Sequence, residues 1–146
     1  MRSPIPAAGI ETLLFAGIKC LFRHDMIIGI GTDLIESKRV AKACQKQAFL
    51  QRAYTERERR EAADNIRRLA GDFAVKEAVS KALGTGFSGF GPGDIEVLRD
   101  DLGKPYVCLY EGAALRAAQI GADRIHVSIT DTEDLTIAFA VAETEA

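Results

Sequence analysis

The residues of this chain suited to charged-oxygen chemistry are two carboxylates, Asp33 and Glu77, two lysines, Lys76 and Lys81, and one histidine, His126. Glu77 and both lysines share the stretch Phe73-Ala74-Val75-Lys76-Glu77-Ala78-Val79-Ser80-Lys81-Ala82-Leu83. At roughly 100° per residue, Ala74, Val75, Ala78, Val79, Ala82 and Leu83 fall on one broad arc, and Lys76, Glu77, Ser80 and Lys81 on the remaining stripe. The pattern predicts a buried helix with one polar seam. Such a seam suits an anion and a metal together. Two carboxylates can hold magnesium, which prefers hard oxygen ligands, while cations neutralise a transferring phosphate. The same spacing has a structural alternative, because Glu77 precedes Lys81 by four residues, as in a helical ion pair on a solvated face.

The elements around this helix must bring the other groups to it. Met26-Ile27-Ile28-Gly29-Ile30-Gly31 reads as a buried strand whose backbone something approaches closely, with Thr32-Asp33 closing it. Asp33 is then an acid at a strand end, available for function or, three residues before Glu36, for a capping box. From Ser37 to Arg52 the period predicts a helix that buries Val40, Ala43, Cys44, Ala48 and Phe49. Its other face carries Lys38, Arg39, Lys42, Lys46 and Arg52, without an acid between Ser37 and Tyr54. That is either a solvated face or a docking surface for an acidic partner.

Thr55-Glu56-Arg57-Glu58 is a capping box opening a charged helix through Ala63, and Asp64 or Asn65 caps the long helix Ile66 to Leu83. The glycine-rich run Gly84 to Gly93 follows a helix instead of preceding one, so it reads as a connector more than as a phosphate cradle. Asp94 to Arg99 alternates like a half-buried strand and pairs with Tyr106 to Tyr110 across a turn. Glu111 to Ile120 is a helix stopped by Gly121. In Arg124 to Thr130 the isoleucines and valine point one way and His126, Ser128 and Thr130 the other. Leu135 to Val141 makes a last antiparallel strand. A histidine on a polar strand face is most often merely hydrogen-bonded or exposed.

The 146 residues suit one domain, and 47% hydrophobic with 27% charged residues is ordinary for a globular chain. A net charge of −2 speaks against a nucleic-acid binder held by bulk electrostatics. Cys20, Cys44 and Cys108 are odd in number and widely spaced, which points to a reducing cytoplasm. The apolar tract Leu13 to Ile18 is bounded by Glu11 and Lys19, short of the roughly 20 residues of a membrane span. Nothing near Phe22-Arg23-His24-Asp25 looks like a secretory cleavage site. Residues 1–25 are expected to be a peripheral extension, with one domain over 26–146. The expected fold is α+β, an antiparallel sheet packed on a long buried helix.

Gly31-Thr32-Asp33, Phe73-Ala74-Val75-Lys76-Glu77-Ala78 with Lys81, Gly84-Thr85-Gly86 and His126-Val127-Ser128 occur here in an order that resembles the holo-[acyl-carrier-protein] synthases, small 4′-phosphopantetheinyl transferases. The resemblance runs from about Met26 to Val141. It implies transfer of 4′-phosphopantetheine from coenzyme A to a serine of apo acyl carrier protein, with release of 3′,5′-ADP, in fatty acid biosynthesis and lipid metabolism. By that matching Asp33 and Glu77 are magnesium ligands, and Glu77, directly or through a metal-bound water, accepts the serine proton. Lys81 neutralises the phosphates, and Lys76, His126, Ser128 and Gly84 join it in binding coenzyme A. Arg39, Lys42 and Lys46 match the surface that docks the carrier protein, and the resemblance implies a homotrimer with sites between chains. One departure stands out: many members carry an arginine just before Phe-Ala-x-Lys-Glu, where this chain has Gly71-Asp72. A phosphate contact expected there is missing or comes from another residue, Arg68 and Lys76 being the candidates. Two other functions fit the residues alone, a magnesium-dependent phosphoryl or nucleotidyl hydrolase and a non-catalytic module that binds an acidic protein.

Overall fold

The computed structural model describes residues 26–145 and, before them, the backbone of two short paired strands, β1 (Leu14–Phe15) and β2 (Ile18–Lys19). The rest of the expected extension over 1–25 lies outside the described residues. After it come β3 (Ile27–Glu36), α1 (Ser37–Cys44), α2 (Gln47–Ala53), α3 (Glu56–Ala62) and the long α4 (Ile66–Ala82). The chain continues through β4 (Ile95–Arg99), β5 (Pro105–Leu109), α5 (Glu111–Ile120), β6 (Arg124–Asp131) and β7 (Leu135–Glu143). β3, β7 and β6 form an antiparallel sheet in the order β3-β7-β6, and β4 and β5 form a separate antiparallel hairpin. This is the expected α+β architecture, with α4 packed on the sheet.

Small residues let helix and sheet approach closely. Ala74, Val75, Ala78, Val79, Ala82 and Leu83 are buried against Ala138, Ala140 and Ala142 of β7. On β3 the contact is backbone to backbone. A Cβ on Gly31 would stand 1.9 Å from the Ala78 carbonyl oxygen, and one on Gly29 would stand 2.0 Å from that of Ala82. Only glycine fits at these two positions. A second cluster on the other side of α4 contains Val40, Cys44, Ala53, Tyr54, Leu69 and Ala70. There Phe49 packs on Phe73 with ring centroids 5.7 Å apart, and the Tyr54 hydroxyl donates to the Leu69 carbonyl at 2.8 Å.

The polar seam of α4 divides in two. Lys76 and Ser80 turn into the core and are fully buried, whereas Glu77 and Lys81 face β3 and reach solvent. Lys76 is therefore not in a position to bind substrate within the chain. Its ammonium donates to Glu58 Oε2 at 2.8 Å, to the Pro92 carbonyl at 3.0 Å and to the Ile95 carbonyl. Glu58 also accepts from the backbone of Thr55 at 2.7 Å and of Val97 at 2.8 Å. The predicted capping box of Thr55 and Glu58 is present, so one carboxylate both caps α3 and holds the lysine that ties α4 to β4.

Three other expectations change. β3 does not close at Asp33 but runs on to Glu36, the N-cap of α1, whose side chain makes no capping bond. Asp33 is thus a mid-strand residue, and capping does not explain it. The helix expected from Ser37 to Arg52 breaks between Cys44 and Gln47, which turns Ala53 and Tyr54 into the core and leaves Ala48 exposed. β4 does not alternate. Ile95 to Leu98 are all buried, and Glu96 is accommodated there by hydrogen bonds from the Thr55 and Tyr110 hydroxyls at 2.7 and 3.0 Å.

Replacing Lys76 by alanine leaves Glu58 buried without its partner, a change expected to cost about 3–5 kcal/mol. Lys81, half exposed, should cost far less. Urea denaturation of the two variants measures the difference; equal losses would contradict the division of the seam.

Candidate active site

The close approach of β3 to α4 sets Asp33 beside the second half of the helix. Lys81 Nζ donates to Asp33 Oδ1 and to the Thr32 carbonyl, both at 2.9 Å. Asp33 Oδ2 is buried and has no hydrogen-bond partner among the described residues. Glu77, one turn before Lys81, is half-buried. Its pKa is raised first by burial and then by the nearby Asp33 charge, with Lys81 opposing. An acid raised in this way binds an extra proton in the fold, so its ionisation erodes stability as pH rises through the shifted value.

The two carboxylates line a cleft of about 360 Å³ with Glu36 and Arg39, over apolar walls of Val40, Phe49 and Phe73. Among the described residues no set of three His, Cys, Asp or Glu side chains converges as a metal cage. Two carboxylates, one of them with an orphaned buried oxygen, would suit magnesium, a hard cation that takes oxygen ligands. The residues present fit that ion.

The other predicted site residues lie elsewhere. Arg39 opens on the cleft, and Lys42 and Lys46 continue its basic surface, exposed along α1 and at the N-cap of α2. Gly84 follows α4 with φ of +85°, and Arg116 donates to the preceding Leu83 carbonyl at 2.9 Å. His126 and Ser128 stand on the face of the sheet opposite α4, His126 Nε2 lying 2.7 Å from Glu143 Oε1. A single chain does not bring either to Asp33 and Glu77. Around them the outer face is apolar: Ile30, Leu34, Leu135, Ile137 and Phe139 are exposed. Cross-strand register sets Phe139 between Thr32 and Ser128, and Val141 between Ile30 and His126.

A second cleft, about 520 Å³, opens on the other flank of α4 and is lined by Arg67, Arg68, Arg99, Lys104 and Ser128 among others. Arg99 Nη2 is 2.8 Å from Asp72 Oδ1, and Arg68 Nε is 3.9 Å from Asp72 Oδ2. The sequence reading missed this pair, although the i, i+4 spacing of Arg68 and Asp72 was a signal for half of it.

Residues 29–140 match the 4′-phosphopantetheinyl transferase superfamily. The holo-[acyl-carrier-protein] synthase of Lachnoclostridium phytofermentans is 53% identical over 118 residues, which are 81% of this chain and 97% of that protein. The crystal structure of the synthase from Neisseria meningitidis superposes with a TM-score of 0.74 at 36% identity, covering 82% of this chain and all of that one (100%). A Bacillus anthracis synthase in complex with CoA (3′,5′-ADP) gives 0.70 at 36% identity, covering 82% and 99%. The fold and the site therefore define a transferase, and the chain belongs to the 4′-phosphopantetheinyl transferase superfamily. Within it the relatives are holo-[acyl-carrier-protein] synthases, and it is an enzyme of that kind.

With no divalent ion added, Glu77→Gln removes a carboxylate that the fold holds against its neighbour. Its thermal midpoint at neutral pH should exceed that of the wild type by a few degrees, and the gap should close well below the ordinary glutamate pKa of 4.5. A midpoint unchanged or lowered at neutral pH would mean that Glu77 carries no such cost.

Proposed function

We propose that this enzyme transfers 4′-phosphopantetheine from coenzyme A to a serine of apo acyl carrier protein, releasing 3′,5′-ADP, with magnesium held by Asp33 and Glu77. The observation that carries the proposal is the buried, unpartnered Oδ2 of Asp33 beside Glu77, with Oδ1 held by Lys81. When bound, magnesium supplies electrostatic stabilisation of the pyrophosphate as charge develops on the leaving group. Lys81 has three N–H donors, of which Asp33 and the Thr32 carbonyl take two. The third is left for a phosphate oxygen. Glu77 accepts the proton of the acceptor serine. The serine Oγ–P bond forms as the bond from that phosphorus to the bridging oxygen breaks, and the bridging oxygen leaves on 3′,5′-ADP.

The basic surface of Arg39, Lys42 and Lys46 borders the same cleft and suits an acidic carrier domain whose serine must reach Glu77. The apolar outer sheet face supports a homotrimer in which His126 and Ser128 complete the donor site of a neighbouring chain. No helix among the described residues is long and apolar enough to cross a membrane, and Cys44 and Cys108 are unpaired thiols, which supports a cytoplasmic location.

The intact mass of apo acyl carrier protein after incubation with enzyme, coenzyme A and magnesium should rise by one phosphopantetheine group, and a chelator should prevent it. Asp33→Ala should lower turnover by about 10³-fold, the scale of a lost metal contribution. A folded wild type that binds carrier protein without releasing 3′,5′-ADP would favour a binding module instead. Phe139→Glu, in the middle of the outer face, should shift the mass in solution from three chains to one and lower transfer in parallel; a monomeric variant with full turnover would refute the shared site.

A further inference from the structure

On the outer face of the sheet, His126 is held by a contact that the chemistry at Asp33 and Glu77 does not use. Its Nε2 lies 2.7 Å from Glu143 Oε1, at the end of β7. The contact runs diagonally across the sheet, because His126 stands opposite Val141 and Glu143 stands opposite Arg124. Arg124, the natural counter-ion for an acid in that register, is paired with Glu145 instead. His126 is thus the one hydrogen-bond partner of the Glu143 side chain among the described residues. An ionised carboxylate only accepts, so Nε2 carries the proton and Glu143 decides the tautomer of the ring.

The two side chains are unequally covered: 57% of the histidine is exposed and 21% of the glutamate. The acid sits back in the sheet surface and the ring stands out from it, with Nδ1 unpartnered among the described residues. As a support for the sheet such a half-exposed pair is worth little. As a means of aiming an imidazole it has the form of the carboxylate–histidine pairs that fix ring orientation at metal sites and in catalytic triads. A neutral ring held this way offers the Nδ1 lone pair to a donor. An anion is received only by the protonated ring, in which Nε2–H stays on Glu143 and Nδ1–H is left for the ligand. We infer that Glu143 is the positioning residue of His126, fixing the ring so that Nδ1–H is presented to a phosphate oxygen of coenzyme A. The inference rests on the proposed transfer from coenzyme A and adds to it a residue that never touches the substrate.

The chain has two histidines, so in a His24→Gln background the imidazole nitrogen resonances of the full chain belong to His126. At a pH where the ring is neutral they should show the Nε2–H tautomer. Glu143→Ala should move both nitrogens toward the average of two tautomers, and Glu143→Gln, whose amide oxygen still accepts, should restore them. In steady state Glu143→Ala should raise KM for coenzyme A about fivefold, the scale of one lost hydrogen bond, with kcat nearly unchanged, and Glu143→Gln should recover most of that loss. The double variant Glu143→Ala/His126→Ala should be no worse than His126→Ala alone, since the acid acts through the ring. A tautomer that does not respond to Glu143→Ala, or a Glu143→Ala effect that adds in full to that of His126→Ala, would overturn the assignment while leaving the transfer intact. A wild type that transfers nothing from coenzyme A would overturn the transfer and the part of Glu143 in it together.

Discussion

The backbone of β3 lies directly against the backbone of α4, a contact that a methyl group at Gly29 or Gly31 would prevent. At the usual separation of a helix and a strand, longer side chains would stand between them. Here Ala78 and Ala82 meet glycine, and the side chains flanking that seam, Glu77 and Lys81, are brought onto Asp33. The result is a pair of carboxylates partly removed from water and countered by one lysine. Such a pair is unfavourable alone and becomes favourable when a cation and a phosphate are added. The tight packing sets the chemistry.

Burial decides what each charged residue of α4 does. Lys76, sealed in with Glu58 and two carbonyls, has every donor satisfied and nothing left for a ligand, so it ties α4 to α3 and β4. Asp72 is equally dry but is paired with Arg99 and Arg68, which line the second cleft. Lys81 is half exposed and keeps a free donor. Along one helix, charged residues are sealed into the core, paired at a cleft or left half exposed according to what surrounds them.

Much of this could be read in the sequence because it is local. The alternation of β6, the Thr55–Glu58 capping box, the Gly121 stop and the glycines of β3 each follow from a few neighbouring residues. Glu77 and Lys81 were legible from residue type and helical phase and Asp33 from its strand; the fold pairs Lys81 with Asp33 and sets Glu77 in the same cleft as Asp33. Lys76 shares that phase with Ser80 to within a turn, and only the position of β4 and Glu58 shows that its side of the seam is dry. Glu96 broke the alternation of β4 for the same reason, its partners Thr55 and Tyr110 being far away in sequence. The Asp72–Arg99 pair joins a helix to a strand 27 residues on, a separation that no periodicity reports.

The most direct test of the account is binding of manganese, an oxygen-seeking stand-in for magnesium, followed by electron paramagnetic resonance with coenzyme A present. One ion per chain should bind, and Asp33→Ala should abolish that binding while the protein stays folded and Lys76→Ala, where folded, retains it. Undiminished binding in Asp33→Ala would contradict the claim that the contact between β3 and α4 exists to present these carboxylates to a cation.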